Sequence, residues 1–185
     1  MVTIVGIAGS LRKASYNGAL LRAAAELAPA GTTIEIASIA GIPLYDGDLQ
    51  TEQGIPAVVA TLKQRIAAAD GLLLVTPEYN YSLPGVLKNA VDWLSRPPQD
   101  IPGVFGGKPV ALLGAASGSG GTRLAQDAWL PVLRALGTQP WFGKALYVTG
   151  AAQVFDAAGR LVDDKVRGLL AGFVAGFTSF IEKGS

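Results

Sequence analysis

Val2-Thr3-Ile4-Val5-Gly6-Ile7-Ala8-Gly9-Ser10 is a near-continuous apolar run that ends on two small residues. A strand apolar at successive positions buries both faces, so it belongs inside a sheet that is covered on each side. The next patterned segment, Asn17–Leu27, puts Leu20, Leu21, Ala24 and Leu27 on one helical face. Strand followed by helix is the unit of a parallel sheet, because parallel strands need a long crossover between them.

The alternation continues outward from this unit. Thr32–Ala37 alternates, with Ile34 and Ile36 on the same side, and Ile55–Ala68 is helix-like. Gly71–Val75 is a second buried-strand run. Leu83–Leu94 is helical, with Val86, Leu87, Ala90, Val91 and Leu94 in register. Pro109–Ala115 is a third buried run, and Thr122–Leu136 is helical. Gln139–Val148 reads as a strand, bent or split because it contains Pro140 and Gly143. Asp163–Ile181 closes the pattern with Val166, Leu170, Phe173, Phe177 and Ile181 on one face. The prediction is an α/β fold of about five parallel strands with helices on both faces. Without a repeat, linker or low-complexity tract, the 185 residues read as one domain, 1–185.

Composition narrows the chemistry. Half the residues are apolar and 16% are charged, which supports a packed core and argues against disorder. Fifteen Lys and Arg against fourteen Asp and Glu give no electrostatic reason to expect nucleic acid or an anionic membrane. The chain has no Cys and no His. That removes disulfides, thiolate nucleophiles, Ser-His-Asp triads and almost every zinc site, so neither a metal nor a catalytic side chain is expected. The chemistry then falls to a bound organic cofactor. Met1 runs straight into the first strand, and Gly168–Phe177 is too short for a bilayer, which takes about 20 residues. No targeting segment or membrane span is expected, and a reducing, cytoplasmic setting fits the missing Cys.

In open α/β sheets ligands bind beyond the carboxyl ends of the strands, so three loops matter. After the first strand comes Gly9-Ser10-Leu11-Arg12-Lys13-Ala14-Ser15-Tyr16-Asn17, opening a helix. Its hydroxyls, guanidinium, amide and N-terminal N–H groups suit a phosphomonoester. It lacks Walker and dinucleotide-binding spacings. The other reading is plain capping by Ser15 or Asn17, with Arg12 a solvated charge. After the third strand, Thr76-Pro77-Glu78-Tyr79-Asn80-Tyr81-Ser82-Leu83-Pro84-Gly85 offers amides and aromatic faces to the edge of a planar heterocycle, or ordinary surface packing. After the fourth, Ala116-Ser117-Gly118-Ser119-Gly120-Gly121-Thr122 is bare enough for a flat ring to approach, or simply a flexible turn.

The first of these loops, together with Pro77 through Arg96 and the Pro43-Leu44-Tyr45-Asp46 segment, resembles the NAD(P)H-dependent FMN reductases, nearest to the bacterial quinone and chromate reductases. Ala14 stands where relatives often carry Gly. The resemblance implies a flavodoxin-like, doubly wound sheet in the order 2-1-3-4-5, binding FMN as a homodimer or homotetramer. It implies that Ser10, Arg12, Ser15 and Asn17 hold the FMN phosphate, in a cofactor-binding stretch that includes Leu11, Lys13 and Tyr16. Pro77, Glu78, Tyr79 and Asn80 would border the isoalloxazine, and Ser117 and Gly118 would complete the pocket. It places the polar–aromatic loop of Tyr45, Asp46 and Asp48 near a subunit interface.

The reaction so implied moves two electrons from NADPH or NADH through the flavin N5 to an acceptor, with no protein nucleophile. A chain of one domain leaves no separate nicotinamide site, so both substrates would share the open flavin face in a ping-pong cycle. A quinone is the foremost acceptor, with azo compounds, chromate or free flavin as alternatives. Two other readings keep the same fold: a flavodoxin-type electron carrier, which the net charge of +1 disfavours, and a flavin-binding sensor without turnover. Choice of NADPH or NADH, physiological acceptor and oligomeric number are open at this level.

Overall fold

In a computed structural model of the chain, residues 1–184 are described; Ser185, the last residue of the expected domain, lies outside them. In chain order the elements are β1 (Val2–Ala8), α1 (Tyr16–Glu26), β2 (Thr32–Ala37), α2 (Gly47–Gln53), α3 (Ala57–Ala68), β3 (Gly71–Val75) and α4 (Gly85–Leu94). They continue with α5 (Ile101–Val104), β4 (Pro109–Ala115), α6 (Arg123–Ala135), β5 (Gln139–Pro140), β6 (Tyr147–Val148), α7 (Ala151–Val154) and α8 (Asp164–Gly184).

The sheet is parallel, in the order β2-β1-β3-β4-β5, with β6 also paired to β4. This is the flavodoxin-like order expected, with one strand more than the five predicted. The fifth position is split in two. β5 pairs with Pro109 and Val110, whereas β6 pairs with Gly114 and Ala115. Gln139 N and Trp141 N donate to Lys108 O and Val110 O, both at 2.8 Å, so Pro140 stands at the edge-strand position whose N–H the ladder does not use. Beyond Trp141 the chain leaves the sheet, and the Trp141 ring folds over Gly143, where an added Cβ would stand 2.5 Å from the indole Nε1. The Trp141 ring packs edge-on to Phe173 of α8, at 5.0 Å.

Alternate strand residues feed two cores, as the period of two requires. Val2, Ile4, Leu73 and Val75 pack beneath α1 and α8. Val5, Ile7, Leu72 and Leu74 pack beneath α3, α4 and α6, with Trp93 and Trp129 fully buried. The expectation for Ile34 and Ile36 needs correction: Ile34 is 7% exposed but Ile36 is 47% exposed. β2 is the edge strand, and the sheet neighbour of Ile36 is Gly6, which has no side chain to pack against it. The segment read as a loop at Asp46 and Asp48 instead starts α2. Asp46 is the N-cap, its Oδ1 accepting from Asp48 N at 2.8 Å.

Candidate functional site

The carboxyl ends of β1, β3 and β4 meet where the strand order reverses, the crevice in which doubly wound sheets bind ligands. Two glycines permit the convergence. A Cβ at Gly114 would lie 2.1 Å from Thr76 O, and one at Gly9 would lie 2.9 Å from Pro77 and Leu87. Beneath them Thr76, fully buried, donates its hydroxyl to Pro77 O at 2.9 Å and accepts from Trp129 Nε1 at 3.1 Å. The start of the 76–85 loop is thereby tied to α6.

The first loop wraps the N-terminus of α1. Ser15 is the N-cap, and its Oγ accepts from Gly18 N at 3.2 Å. Tyr16 and Asn17 stand in the first turn, where N–H groups have no carbonyl within the helix to bond. Ser10 Oγ accepts from Arg12 N at 3.3 Å and lies 3.5 Å from the Tyr79 hydroxyl, which links the first and second loops. Arg12 is exposed and, among the described residues, has no carboxylate within ion-pair range. The Asn17 side chain is 4% exposed and fully engaged: Nδ2 donates to Ala115 O and Oδ1 accepts from Ala115 N, both at 2.9 Å.

In the second loop, Tyr79-Asn80-Tyr81-Ser82 is a tight turn closed by Tyr79 and Ser82, each donating its N–H to the other's carbonyl at 3.0 Å. Its central residues, Asn80 and Tyr81, have φ of 50° and 62°. Left-handed backbone is unusual for a tyrosine and stores strain. The Tyr81 ring is 80% exposed. Glu78 reaches across to the third loop, where Oε2 accepts from Ala125 N at 3.1 Å in the first turn of α6. It supplies the cap that Thr122, with no side-chain capping bond, does not.

Ser10, Arg12, Ser15, Tyr16, Asn17, Pro77, Glu78, Tyr79 and Ser117 come together around one cleft of about 180 Å³, with Ala115 and Ala116 at its floor. Leu11 is outside this group, 56% exposed, and Lys13 faces a neighbouring cavity. Asn80 and Gly118 sit on the exposed rim. Thr76, Gly114 and Ala115 were missed from sequence, although a glycine inside a strand signals a close backbone approach. Also missed was the turn at 156–160, whose Asp156 and Gly159 are ordinary turn residues. Asp156 Oδ1 accepts from Ala158 N and Arg160 N, and Oδ2 accepts from Arg160 Nε at 2.7 Å. The Arg160 N–H and then its side chain hold the Asp156 carboxyl below the ordinary carboxylate range.

This donor set suits a phosphomonoester: open helix N–H groups, the Ser10 and Ser15 hydroxyls and an uncommitted guanidinium, with no carboxylate facing inward except the bonded Glu78. The cleft is smaller than a typical small-molecule pocket of about 300–1,000 Å³. A nucleotide held there by its phosphate therefore extends along the rim of the second and third loops. FMN fits that description.

A family model described as NADPH-dependent FMN reductase matches residues 2–153. An NAD(P)H-dependent FMN reductase of Pseudomonas aeruginosa is 48% identical over 169 residues, covering 91% of this chain and 89% of the relative. A quinone reductase of Escherichia coli strain K12 is 41% identical over 183 residues, covering 97% and 95%. Among solved structures, the flavoenzyme NAD(P)H:(acceptor) oxidoreductase from Paracoccus denitrificans superposes with a TM-score of 0.88 at 36% identity, covering 100% of this chain and 99% of that one.

Proposed function

The chain belongs to the NADPH-dependent FMN reductase family, oxidoreductases that work with FMN and NAD(P)H, and on that premise we propose that it reduces quinones by a ping-pong cycle. The observation that carries the reading is the phosphate cradle at the switch point between β1 and β3, opening directly onto the exposed rim of the second and third loops. The bound flavin supplies the two-electron chemistry that no side chain of this chain provides.

The protein's own part is binding and orientation. Ser10, Ser15, Arg12 and the first N–H groups of α1 hold the phosphate. Asn17 fixes the start of α1 to the end of β4, so those donors stay aimed at one point. Glu78 fixes the start of α6 and with it the end of the glycine-rich third loop. Pro77, Tyr79 and Asn80 border the ring edge, with Ser117 and Gly118 opposite. The described chain carries one such cleft at this switch point, and both substrates use its exposed side in turn. Quinones come first among acceptors, and azo compounds, chromate and free flavin are further substrates of the same exposed site. We assign a homodimer or homotetramer, in which Tyr45 and Asp46 stand near the subunit boundary, working in the cytoplasm. Among the described residues no helix is long and apolar enough to cross a membrane.

Anaerobic titration of FMN-loaded protein with NADPH, then NADH, followed by flavin absorbance, tests the reading. Rapid bleaching reversed by benzoquinone is expected. A flavin that binds but is bleached by neither nicotinamide makes the chain a carrier or sensor instead. Initial rates at several quinone concentrations should give parallel double-reciprocal lines; intersecting lines would exclude the ping-pong order.

A further inference from the structure

Beside the cradle lies a second, larger cavity of about 450 Å³ on the other side of the first loop. Arg12, Lys13 and Arg22 line it, together with Tyr16, Asp156 and Gly159. Among the described residues no carboxylate stands within 4 Å of any of the three cations. Asp156 is the one carboxylate in the lining, and it is taken up by Ala158 N, Arg160 N and Arg160 Nε. The cavity wall is therefore cationic in a chain whose net charge is only +1.

Arg22 is exposed, on the cavity side of α1. Its guanidinium lies across the first turn of α1, over Gly18 and against Gly159. A Cβ at Gly159 would stand 3.0 Å from Nη2, and one at Gly18 would stand 3.6 Å from Nη1. At Gly18 the contact would be an ordinary one; at Gly159 a side chain would crowd the fork. Arg12 lines this cavity as well as the cradle, so the two anion sites are adjacent and share one wall. The volume falls in the range of pockets that hold nucleotide-sized ligands.

We propose that this cavity binds the 2′-phosphate of NADPH, and that Arg22 is the residue by which the enzyme prefers NADPH to NADH. The inference rests on the reductase reading. NADPH and NADH differ only by a phosphomonoester dianion on the adenosine ribose. An unpaired guanidinium and ammonium supply charge-assisted, partly bidentate hydrogen bonds to such a group.

The test uses FMN-loaded protein and calorimetry with two probes, adenosine 2′,5′-bisphosphate and adenosine 5′-monophosphate. The bisphosphate should bind at least about tenfold more tightly, the scale of one charged hydrogen bond to phosphate. Arg22→Gln should reduce that preference to about threefold or less, and Arg22→Lys should retain part of it. In turnover, Arg22→Gln should raise the KM for NADPH with kcat unchanged and leave NADH kinetics as they were. Equal affinity for the two probes, or a preference untouched by Arg22→Gln, overturns the proposal. Inorganic phosphate that displaces the bisphosphate at the same concentration as the bisphosphate itself also overturns it, since the cavity would then be a site for any oxyanion. Flavin bleaching by NADH in the same samples keeps the two readings apart. Bleaching without probe discrimination refutes the cavity assignment alone, and probe discrimination without bleaching by either nicotinamide refutes the reductase reading and with it NADPH as the ligand, leaving a site for a nucleoside 2′-phosphate.

Discussion

Asn17 and Ala115 exchange two hydrogen bonds, side-chain amide to backbone amide, each of 2.9 Å and both buried. The Asn17 amide treats Ala115 as the next strand of a sheet would, at the point where β4 has run out of neighbours on that side. Replacing Asn17 with Ala leaves Ala115 N–H and C=O unpaired at a position 3% exposed. The apo-protein should lose about 1–3 kcal/mol, measured by urea unfolding without flavin. Asn17→Asp should be worse, because a carboxylate would face the Ala115 carbonyl. An Asn17→Ala variant of unchanged apo stability would refute the structural role.

Arg12 gives the opposite partition between stability and binding. It is exposed and pairs with no carboxylate among the described residues, so Arg12→Ala should change apo stability by less than about 0.5 kcal/mol. FMN affinity, followed by quenching of flavin fluorescence, should fall by about 1.5–3 kcal/mol, the worth of a charged hydrogen bond. Unchanged affinity would place the phosphate elsewhere.

Glu78 caps α6 from another loop. Glu78→Ala should cost about 1 kcal/mol and speed amide hydrogen exchange at Ala125. Glu78→Gln keeps an accepting oxygen and should recover most of the loss, apart from the charge–dipole share. If the two variants are equally destabilised, charge rather than capping geometry holds the contact.

Tyr81 has φ of 62° with its ring 80% exposed. Its left-handed backbone costs roughly 1–2 kcal/mol relative to glycine, while an exposed ring has little packing to lose. Tyr81→Gly should therefore raise stability by about 1 kcal/mol. A drop in melting temperature would mean that the ring makes compensating contacts.

The Asp156 carboxyl is held below its ordinary value chiefly by the backbone N–H of Arg160. A carboxylate depressed in the folded state contributes stability that is complete above its unfolded pKa. The contribution is lost as pH falls through the lower, folded value. The 156–160 turn should thus stay closed through the mildly acidic range and loosen only below the usual carboxylate pKa. The amide shifts of Ala158 and Arg160 should report this in an acid titration by NMR, and the response should vanish in Asp156→Asn. Movement of those shifts between pH 6 and 8 would contradict the assignment.

Several of these relationships were illegible in the sequence for the same reason. The first loop could be singled out because its Ser10, Arg12 and Ser15 sit within a few residues of a helix start that the apolar period announces. Ser15 caps α1, one of the two readings the sequence left open, and also lines the cleft. Asn17 looks from sequence like one more polar residue of that loop. Only the fold reveals that its amide is spent on a strand end 98 residues away. Ile36 repeats the lesson in the core: its parity with Ile34 is right, but the partner in the sheet, Gly6, offers nothing to pack against.

The amino-acid sequence by itself determined the alternation of doubly apolar strands with one-sided helices, and hence a covered parallel sheet with its open loops at one end. It also excluded thiol, imidazole and most metal chemistry by composition, leaving a cofactor to do the work. Those properties are local or additive, so they survive without knowing which segment meets which. The tertiary structure alone decided the pairings: Asn17 with Ala115, Glu78 with the first turn of α6, and Arg22 with the turn at Gly159. Each joins groups far apart in the chain. Hydrogen bonds and charge pairs act over a few ångströms, and only the packed sheet brings these partners within that reach.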